Sequence, residues 1–296
     1  MALTVSPLHP VLGGEAAGID VAAPLSAADA AEIHAAMDRY AVLVFRDQDI
    51  TDEQQLDFTR RLGPVELMVG GHITRPEDSR LGRYFADVSN LDQQGEKLAR
   101  DDRRRLFNLG NRLWHSDSSF RAVPAKYSLL SGRIVTAEGG NTEFADMRAA
   151  YDALDDATKA LIEDLVCEHS LIHSRGSLGF SELTDDERKA FAPVRQRLVR
   201  THPATGRKSL YLSSHAGAIV GWPVPEARDL LRELTEHATQ RDFVYAHRWR
   251  RFDFVMWDNR TTMHRVRPFR DDRDVRDMRR TTVAGDGPTV AQAAAD

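Results

Sequence analysis

Two side chains that often bind metals lie two residues apart in the stretch Trp114–Phe120, at His115 and Asp117. The stretch has the pattern of an extended segment, in which side chains at i and i+2 leave the same face about 7 Å apart. An imidazole and a carboxylate placed in this way can converge on one cation at ligand distances of about 2.1 Å. On a helix, the same spacing would put them on different faces. An isolated His-x-Asp pair is also common on polar surfaces. Other residues of the chain are therefore needed to distinguish a metal site from ordinary polar surface.

A third possible ligand lies about 150 residues later, at His264. The dipeptide Asp258-Asn259 is typical of a turn between two apolar strands, which places His264 early on the second strand. A histidine there could complete a metal site. Taken alone, a histidine in this position is more often a strand residue whose ring nitrogens are hydrogen-bonded to neighbours.

Three arginines follow in the stretch 276–283, and two of them, Arg276 and Arg280, are four residues apart. If this stretch is a strand, Arg276, Met278 and Arg280 share one face. Guanidinium groups that face a core are costly unless they meet anions, and each can bind a carboxylate through two N–H groups. The alternative is that both arginines point to solvent with their charged neighbours.

Hydrophobic periodicity and capping residues predict the elements that would position these groups. Helices are predicted to begin near six positions: Ser26, Thr51, Met147, Asp155, Thr184 and Pro225. Strands are predicted in eight segments: 41–45, 126–136, 141–144, 209–213, 243–249, 252–257, 261–266 and 278–284. The pattern predicts one domain over 1–296, mainly β with helices, in which a barrel or sandwich is decorated by helices.

Three segments lack clear periodicity. Residues 65–112 are polar and rich in glycine, and could form either a lid over a binding site or plain surface. Residues 174–197 form a second irregular insertion with a short helix inside it. We expect the small, polar tail 285–296 to be flexible.

Composition excludes several classes of protein. The 296 residues have a formal charge of −5, so we expect no nucleic-acid partner. Cys167 is the single cysteine, which excludes an intrachain disulfide and suits a reducing compartment. We expect no signal peptide and no membrane span, because no basic segment precedes an apolar core and no apolar run approaches about 18 residues. A cytoplasmic location follows as an expectation.

Taken together, the motifs resemble the taurine/2,4-dichlorophenoxyacetate family of iron(II)- and 2-oxoglutarate-dependent dioxygenases. The resemblance extends from Ser6 to Thr282 and is strongest in four stretches: Trp114–Phe120, Asp146–Leu154, Glu236–Arg241 and Met256–Arg260. It implies a double-stranded β-helix (jelly roll) core. It also implies the cofactor iron(II), the co-substrates 2-oxoglutarate and O2, ascorbate as an activator, and a homo-oligomer.

The family's roles can be placed on this sequence residue by residue. The resemblance implies that iron is bound by three residues: His115, Asp117 and His264. It implies that Thr142 and Arg276 hold the distal carboxylate of 2-oxoglutarate. The choice of Arg276 over Arg279 depends on aligning the Arg-x-x-x-Arg pattern and on the shared strand face.

Substrate contacts are implied for four residues: Arg280, which would bind the acid's carboxylate, and Asn90, Lys97 and His215. A structural role is an open alternative for His215. A lysine expected near residue 71 is absent, and Gly70-Gly71-His72 stands there instead.

The implied reaction hydroxylates a small acid such as an aryloxyacetate, which then breaks into a phenol and glyoxylate as succinate and CO2 are released. One alternative is the same chemistry on another small anion, such as a sulfonate, an alkyl sulfate or an aryloxypropionate. Another is a jelly-roll binding protein without catalysis. A zinc hydrolase would need a general base, and the sequence supplies none.

Overall fold

The computed structural model describes residues 2–68, 73–74 and 79–291. Within these residues the helices are α1 Ala27–Tyr40, α2 Asp52–Leu62, α3 Arg103–Asn108, α4 Met147–Asp152, α5 Asp156–Ile162, α6 Leu171–Gly176, α7 Asp185–Ala190 and α8 Val224–Ala238. The first nine strands are β1 Thr4–Pro7, β2 Gly14–Ala17, β3 Val42–Phe45, β4 Ala86–Asp87, β5 Tyr127–Ile134, β6 Thr142–Asp146, β7 Val166–His169, β8 Val194–Arg197 and β9 Val199–Thr201. The other six are β10 Lys208–Leu210, β11 Ala216–Ile219, β12 Val244–His247, β13 Phe254–Asp258, β14 Thr262–Val266 and β15 Asp277–Val283.

The caps predicted for the first two helices are present. The side chain of Ser26 accepts a hydrogen bond from the backbone N–H of Asp29 at the start of α1. Thr51 and Gln54 form a reciprocal capping box at the start of α2. Both sets of bonds satisfy N–H groups that have no partner inside the helix, which explains why the chain enters each helix at this point.

The largest sheet has seven strands in the order β1-β2-β3-β13-β5-β15-β4. Its neighbours are antiparallel except for the parallel pair β2 and β3. A second sheet has three antiparallel strands in the order β12-β6-β14. Two smaller sheets, β11-β7-β8 and β10-β9, complete the strands.

The central strands of the large sheet are buried on both faces, and their side chains alternate between two clusters. One cluster joins Phe45 and Phe254 to Ile33 of α1 and Phe58 of α2. The other contains the alternate residues of the same strands together with Phe144 of β6, which belongs to the three-stranded sheet. Helices therefore cover one face of the large sheet, and the three-stranded sheet covers the other.

Helices hold at least as many residues as strands, so the expectation of a mainly β fold is corrected to a mixed one. The reason is local, since the two irregular segments fold partly into helix. The described part of 65–112 contains α3 and a 3-10 turn at Leu109–Arg112, and the insertion 174–197 contains α7 and β8. Gly70, Gly71 and His72 lie outside the described residues.

Part of the tail 285–296, for which flexibility is predicted, contacts the rest of the chain. Residues Thr289–Ala291 form a 3-10 turn, and Thr289 is fully buried. Its hydroxyl donates to Gln196 Oε1 (2.6 Å) and accepts from the backbone N–H of Arg197 (3.0 Å), which fixes this turn on β8. Residues 292–296 lie outside the described chain. None of the described helices is long and apolar enough to span a bilayer.

Candidate metal and anion site

His115, Asp117 and His264 come together in the fold. One ligand atom from each lies within 4.8 Å of the others, and all three side chains are buried. His115 Nε2 is 3.8 Å from Asp117 Oδ1, and His264 Nε2 is 3.6 Å from Asp117 Oδ2. These separations leave room for one cation among the three groups.

A backbone bridge aligns the two histidines. His115 and His264 pair as an isolated antiparallel bridge, with N–H to O distances of 3.0 and 2.8 Å. Directly afterwards the chain turns, and Ser118 has a positive φ of 55°. The expected extended segment is therefore corrected to a bridge followed by a turn, which brings the Asp117 carboxylate back towards His115.

The charge states suit a cation. Burial lowers the pKa of both His115 and His264, so both imidazoles are neutral at pH 7. The carbonyl of Leu113 accepts from His115 Nδ1 at 2.8 Å, which leaves the Nε2 lone pair free for a metal. Burial would raise the pKa of Asp117, but Arg280 and the two histidines outweigh it and hold the value at about 2. Two neutral imidazoles and one ionised carboxylate are the facial donor set of non-haem iron(II) sites.

A hydrogen-bond network supports Asp117 from behind. Ser128 Oγ donates to Asp117 Oδ2 at 2.7 Å, and Asn259 Nδ2 donates to Ser128 Oγ at 3.0 Å. Asn259 Oδ1 accepts from the backbone N–H of Asp117 and from the Trp257 indole, both at 3.1 Å. Sequence reasoning missed Ser128 and Asn259 as site residues, although Asn259 lies in one of the four family-like stretches.

Arg280 lies at the cluster itself. Its Nη1 donates to Asp117 Oδ1, and its Nε has no hydrogen-bond partner within the described residues. The residue faces the cluster of His115, Asp117 and His264 from β15.

Arg276 is a buried guanidinium without an acid. It forms no ion pair within the described chain, and its one side-chain hydrogen bond goes from Nη1 to the carbonyl of Val88 at 3.1 Å. Burial lowers the pKa of Arg276 to about 10. A Cβ added at Gly140 would lie 3.7 Å from Arg276 Nε, so the group is next to the turn before Thr142. The hydroxyl of Thr142 accepts from the indole of Trp249 at 2.9 Å and is buried.

Arg279 has a different environment. Its Nη1 is 2.7 Å from Asp52 Oδ2, and its Nη2 is 3.1 Å from Asp277 Oδ2. The guanidinium is therefore already neutralised at the α2 side of β15.

The side chains of Asn90 and Lys97 form hydrogen bonds with backbone groups of segment 271–276. Asn90 Nδ2 donates to the carbonyls of Asp271 (3.0 Å) and Asp274 (2.8 Å), and its Oδ1 accepts from the N–H of Arg276 (2.9 Å). Lys97 Nζ donates to two carbonyls of the same segment at 2.9 and 3.1 Å. The structure places both residues against the backbone that carries Arg276, and not at the cluster of His115, Asp117 and His264.

His215 does join the cluster. Its ring stands edge-on to His115 with 6.1 Å between centroids, and edge-on to Phe120 at 5.1 Å. Its Nδ1 is 2.8 Å from Ser174 Oγ. Burial keeps the pKa of His215 well below its ordinary value, so the ring is neutral.

The donor set of these three side chains is that of non-haem iron dioxygenases, and comparison with known proteins gives the same class. The model of the family described as "Taurine catabolism dioxygenase TauD, TfdA family" matches residues 4–282. The chain belongs to this family, as the resemblance predicted, and is an alpha-ketoglutarate-dependent (2-oxoglutarate-dependent) dioxygenase.

Individual relatives cover nearly the whole chain. It is 44% identical to the alpha-ketoglutarate-dependent 2,4-dichlorophenoxyacetate dioxygenase of Cupriavidus pinatubonensis, over 97% of this chain and 99% of that protein. It is 38% identical to the (S)-phenoxypropionate/alpha-ketoglutarate-dioxygenase of Sphingobium herbicidovorans, over 96% of each. A crystal structure of AAD-2 with Mn(II) and N-oxalylglycine superposes with a TM-score of 0.95 at 61% identity, over 98% of this chain and 100% of that one.

Proposed function

We propose that this enzyme hydroxylates small aryloxy acids with iron(II), O2 and 2-oxoglutarate, and that aryloxyacetates such as 2,4-dichlorophenoxyacetate are its main substrates. The observation that carries the proposal is the buried cluster His115, Asp117 and His264 with the Arg280 guanidinium on Asp117. Four residues before Arg280 in the chain, the buried Arg276 has no acid among the described residues. The 44% identity to a 2,4-dichlorophenoxyacetate dioxygenase supports the choice of substrate.

The three clustered side chains would hold the iron. Iron(II) held by these residues would supply, with O2 and 2-oxoglutarate, the oxidising power for C–H hydroxylation. Asn259 and Ser128 keep the Asp117 carboxylate oriented, and the Leu113 carbonyl fixes the His115 tautomer. Ascorbate would act as an activator.

Arg276 and Thr142 would hold the distal carboxylate of 2-oxoglutarate. Burying a cation without an acid costs free energy. A carboxylate that binds through the two N–H groups of the guanidinium would offset this cost. Thr142 keeps its hydroxyl proton for donation, since the Trp249 indole is a donor to it. Arg279 is less suited because Asp52 and Asp277 already neutralise it.

Arg280 would receive the carboxylate of the aryloxy acid. Its free Nε–H lets it bind a second anion while Nη1 stays on Asp117. His215, on the side of His115, would line the pocket beside the ether oxygen. Hydroxylation of the carbon between carboxylate and ether gives a hemiacetal, which breaks into a phenol and glyoxylate. One oxygen atom enters the substrate and the other enters succinate as 2-oxoglutarate loses CO2.

We also propose that the large sheet and the sheet β12-β6-β14 are the two halves of a jelly roll in a single dioxygenase domain. Their shared core, which includes Phe144 and Trp257 at 5.5 Å between ring centroids, supports this arrangement. The homo-oligomer and the cytoplasmic location stay predictions; the buried thiol of Cys167 suits the latter.

Succinate release tests the proposal. The purified protein with iron(II), 2-oxoglutarate and ascorbate should release succinate and a phenol in equal amounts when given 2,4-dichlorophenoxyacetate. His264→Ala should abolish both iron binding and turnover. His237→Ala is the matched control, since His237 hydrogen-bonds the Ala150 carbonyl outside the cluster and should leave both intact.

A second candidate substrate class is the aryloxypropionates, favoured by the 38% identity to a phenoxypropionate enzyme. The same assay with phenoxypropionates, alkyl sulfates and sulfonates ranks these acids by kcat/KM. A protein that released no substrate-dependent succinate, and gave no visible charge-transfer band with iron(II) and 2-oxoglutarate under anaerobic conditions, would be a binding protein instead.

A further inference from the structure

Arg175 is another buried guanidinium without an acid among the described residues. It lies on α6, is 6% exposed and forms no ion pair within the described residues. Its Nη1 donates to Ser174 Oγ at 3.3 Å, while Nε has no partner and Nη2 makes no hydrogen bond to the described chain. Burial lowers the pKa of Arg175 to about 10, which still leaves the group charged at pH 7. The Nε and Nη2 groups, which have no partner in the described chain, form the edge through which arginine binds a carboxylate with two parallel bonds.

The surroundings of this guanidinium are shaped to hold it. The ring of Phe107 lies 4.5 Å from Arg175 Cζ. Gly110 lies against it, and a Cβ added there would come within 2.2 Å of Arg175 Cζ. Any other residue at 110 would have to displace the guanidinium, so the glycine creates the space for it.

The charge is close to the reaction site. Ser174 Oγ, which accepts from Arg175, is also 2.8 Å from His215 Nδ1, and the His215 ring contacts His115 edge-on. Arg175 therefore lies on the histidine side of the metal cluster, whereas Arg280 lies at Asp117.

We propose that Arg175 forms a second oxyanion subsite in the substrate pocket, so that the enzyme prefers aryloxy acids with an additional carboxylate on the ring. The inference depends on the proposed function, because it assigns the first carboxylate to Arg280. The ring carboxylate would pair with the Nε and Nη2 edge and remove the penalty of an unpaired buried cation. Phe107, which stacks on the guanidinium, and Phe120, which contacts His215, would pack against the ring.

The experiment compares phenoxyacetate with 2-, 3- and 4-carboxyphenoxyacetate by kcat/KM for succinate release. At least one isomer should exceed phenoxyacetate by about tenfold, which corresponds to 1.4 kcal/mol and is within the reach of one charge-assisted fork. In Arg175→Met this ratio should fall to about one. Arg175→Lys keeps the charge without the fork and should give an intermediate ratio.

Binding to the metal-free protein gives a readout that does not depend on turnover. Calorimetry should show the preferred isomer binding about tenfold more tightly than phenoxyacetate, with the difference lost in Arg175→Met. Benzoate and acetate test whether the subsite binds a free carboxylate. Suppose that benzoate or acetate bound tightly, that Arg175→Met abolished this binding, and that the ring isomers bound equally. Arg175 would then form a site for small carboxylates and not a substrate subsite, and the proposal would be overturned.

The alternative is that Arg175 only holds the segment 103–112 in place, and Arg103→Met is the matched control for it. Arg103 fixes the same segment through Glu187 (2.8 and 2.9 Å) and lies over the Phe180 ring at 5.4 Å. If Arg175→Met slowed phenoxyacetate and its carboxylated isomers equally, as Arg103→Met should, the subsite would be disproved. If no aryloxy acid released succinate, the proposed function would fail, while the calorimetric ratio would still decide on Arg175.

Discussion

Asn259 is connected to Asp117 by two routes. Its Oδ1 accepts from the Asp117 backbone N–H at 3.1 Å, and its Nδ2 donates to Ser128 Oγ, which in turn donates to Asp117 Oδ2. One amide side chain thus restrains both the backbone and the carboxylate of a proposed iron ligand. Because the network is buried, the carboxylate is oriented before any metal arrives.

Asn259→Ala should therefore weaken metal binding. Loss of an outer-sphere partner typically lowers metal affinity about 10- to 100-fold, and the positive φ at Ser118 makes this turn dependent on such restraints. Calorimetric titration with Mn(II) or Co(II) measures the effect. Ser128→Ala should lose less, because the backbone contact survives. Ser131→Ala, also buried on β5 but bonded to the carbonyl of Arg279, is the control that should not change affinity.

Replacing Arg276 by alanine should raise the KM for 2-oxoglutarate about 10- to 100-fold, with a smaller effect on the KM for the aryloxy acid. The estimate is the worth of a charge-assisted hydrogen-bond pair, about 1.5–3 kcal/mol. Arg279→Ala should leave the KM for 2-oxoglutarate nearly unchanged while lowering stability, because it breaks ion pairs to Asp52 and Asp277. If Arg279→Ala raised the KM for 2-oxoglutarate and Arg276→Ala did not, Arg279 would be the residue that binds 2-oxoglutarate.

Asn90→Ala should act on 2-oxoglutarate more than on the aryloxy acid. Its amide joins two carbonyls and the Arg276 N–H, so its loss frees the backbone that presents Arg276. We expect a stability loss of about 1–3 kcal/mol, from polar groups left without partners, in urea unfolding. Lys97 is exposed and donates two hydrogen bonds to the same segment. Lys97→Ala should therefore raise the KM for 2-oxoglutarate and lower stability by less than Asn90→Ala does. A larger rise in the KM of the acid would restore the substrate contact predicted from sequence.

Stability should fall between pH 7.5 and 5.5 partly through His169. Burial lowers the pKa of His169 to about 3, with His173 adding to the shift, so the folded protein binds no proton there while the unfolded chain titrates near 6.5. The unfolded state therefore gains protons first as the pH falls, and folding loses about 1.4 kcal/mol at pH 5.5 from this one residue. His169→Phe preserves a ring to stack on Tyr211 and should reduce the pH-dependent loss by that amount in urea unfolding. An unchanged slope would show that His169 is protonated in the folded state.

Local patterns were enough to predict the capped helices and the strand that bears His264. Ser26 and Thr51 could be recognised because a cap is formed within four residues of the chain. The outer network of Asp117 could not be recognised in this way. Ser128 and Asn259 are 131 residues apart, and the bond between them exists only once β5 and β13 are paired.

By itself, the sequence determined the types and spacing of the residues proposed to bind iron and two acids, because a His-x-Asp, a later histidine and the two arginines after it are visible in one dimension. The tertiary structure decided which of these charges are already paired. Arg276 and Arg279 are the same residue type three positions apart. Within the part of the chain that the structure describes, Arg276 is buried without an acid, and Arg279 lies between two carboxylates. Only long-range packing determines such partners, since the free energy of a buried charge depends on what the rest of the fold places beside it.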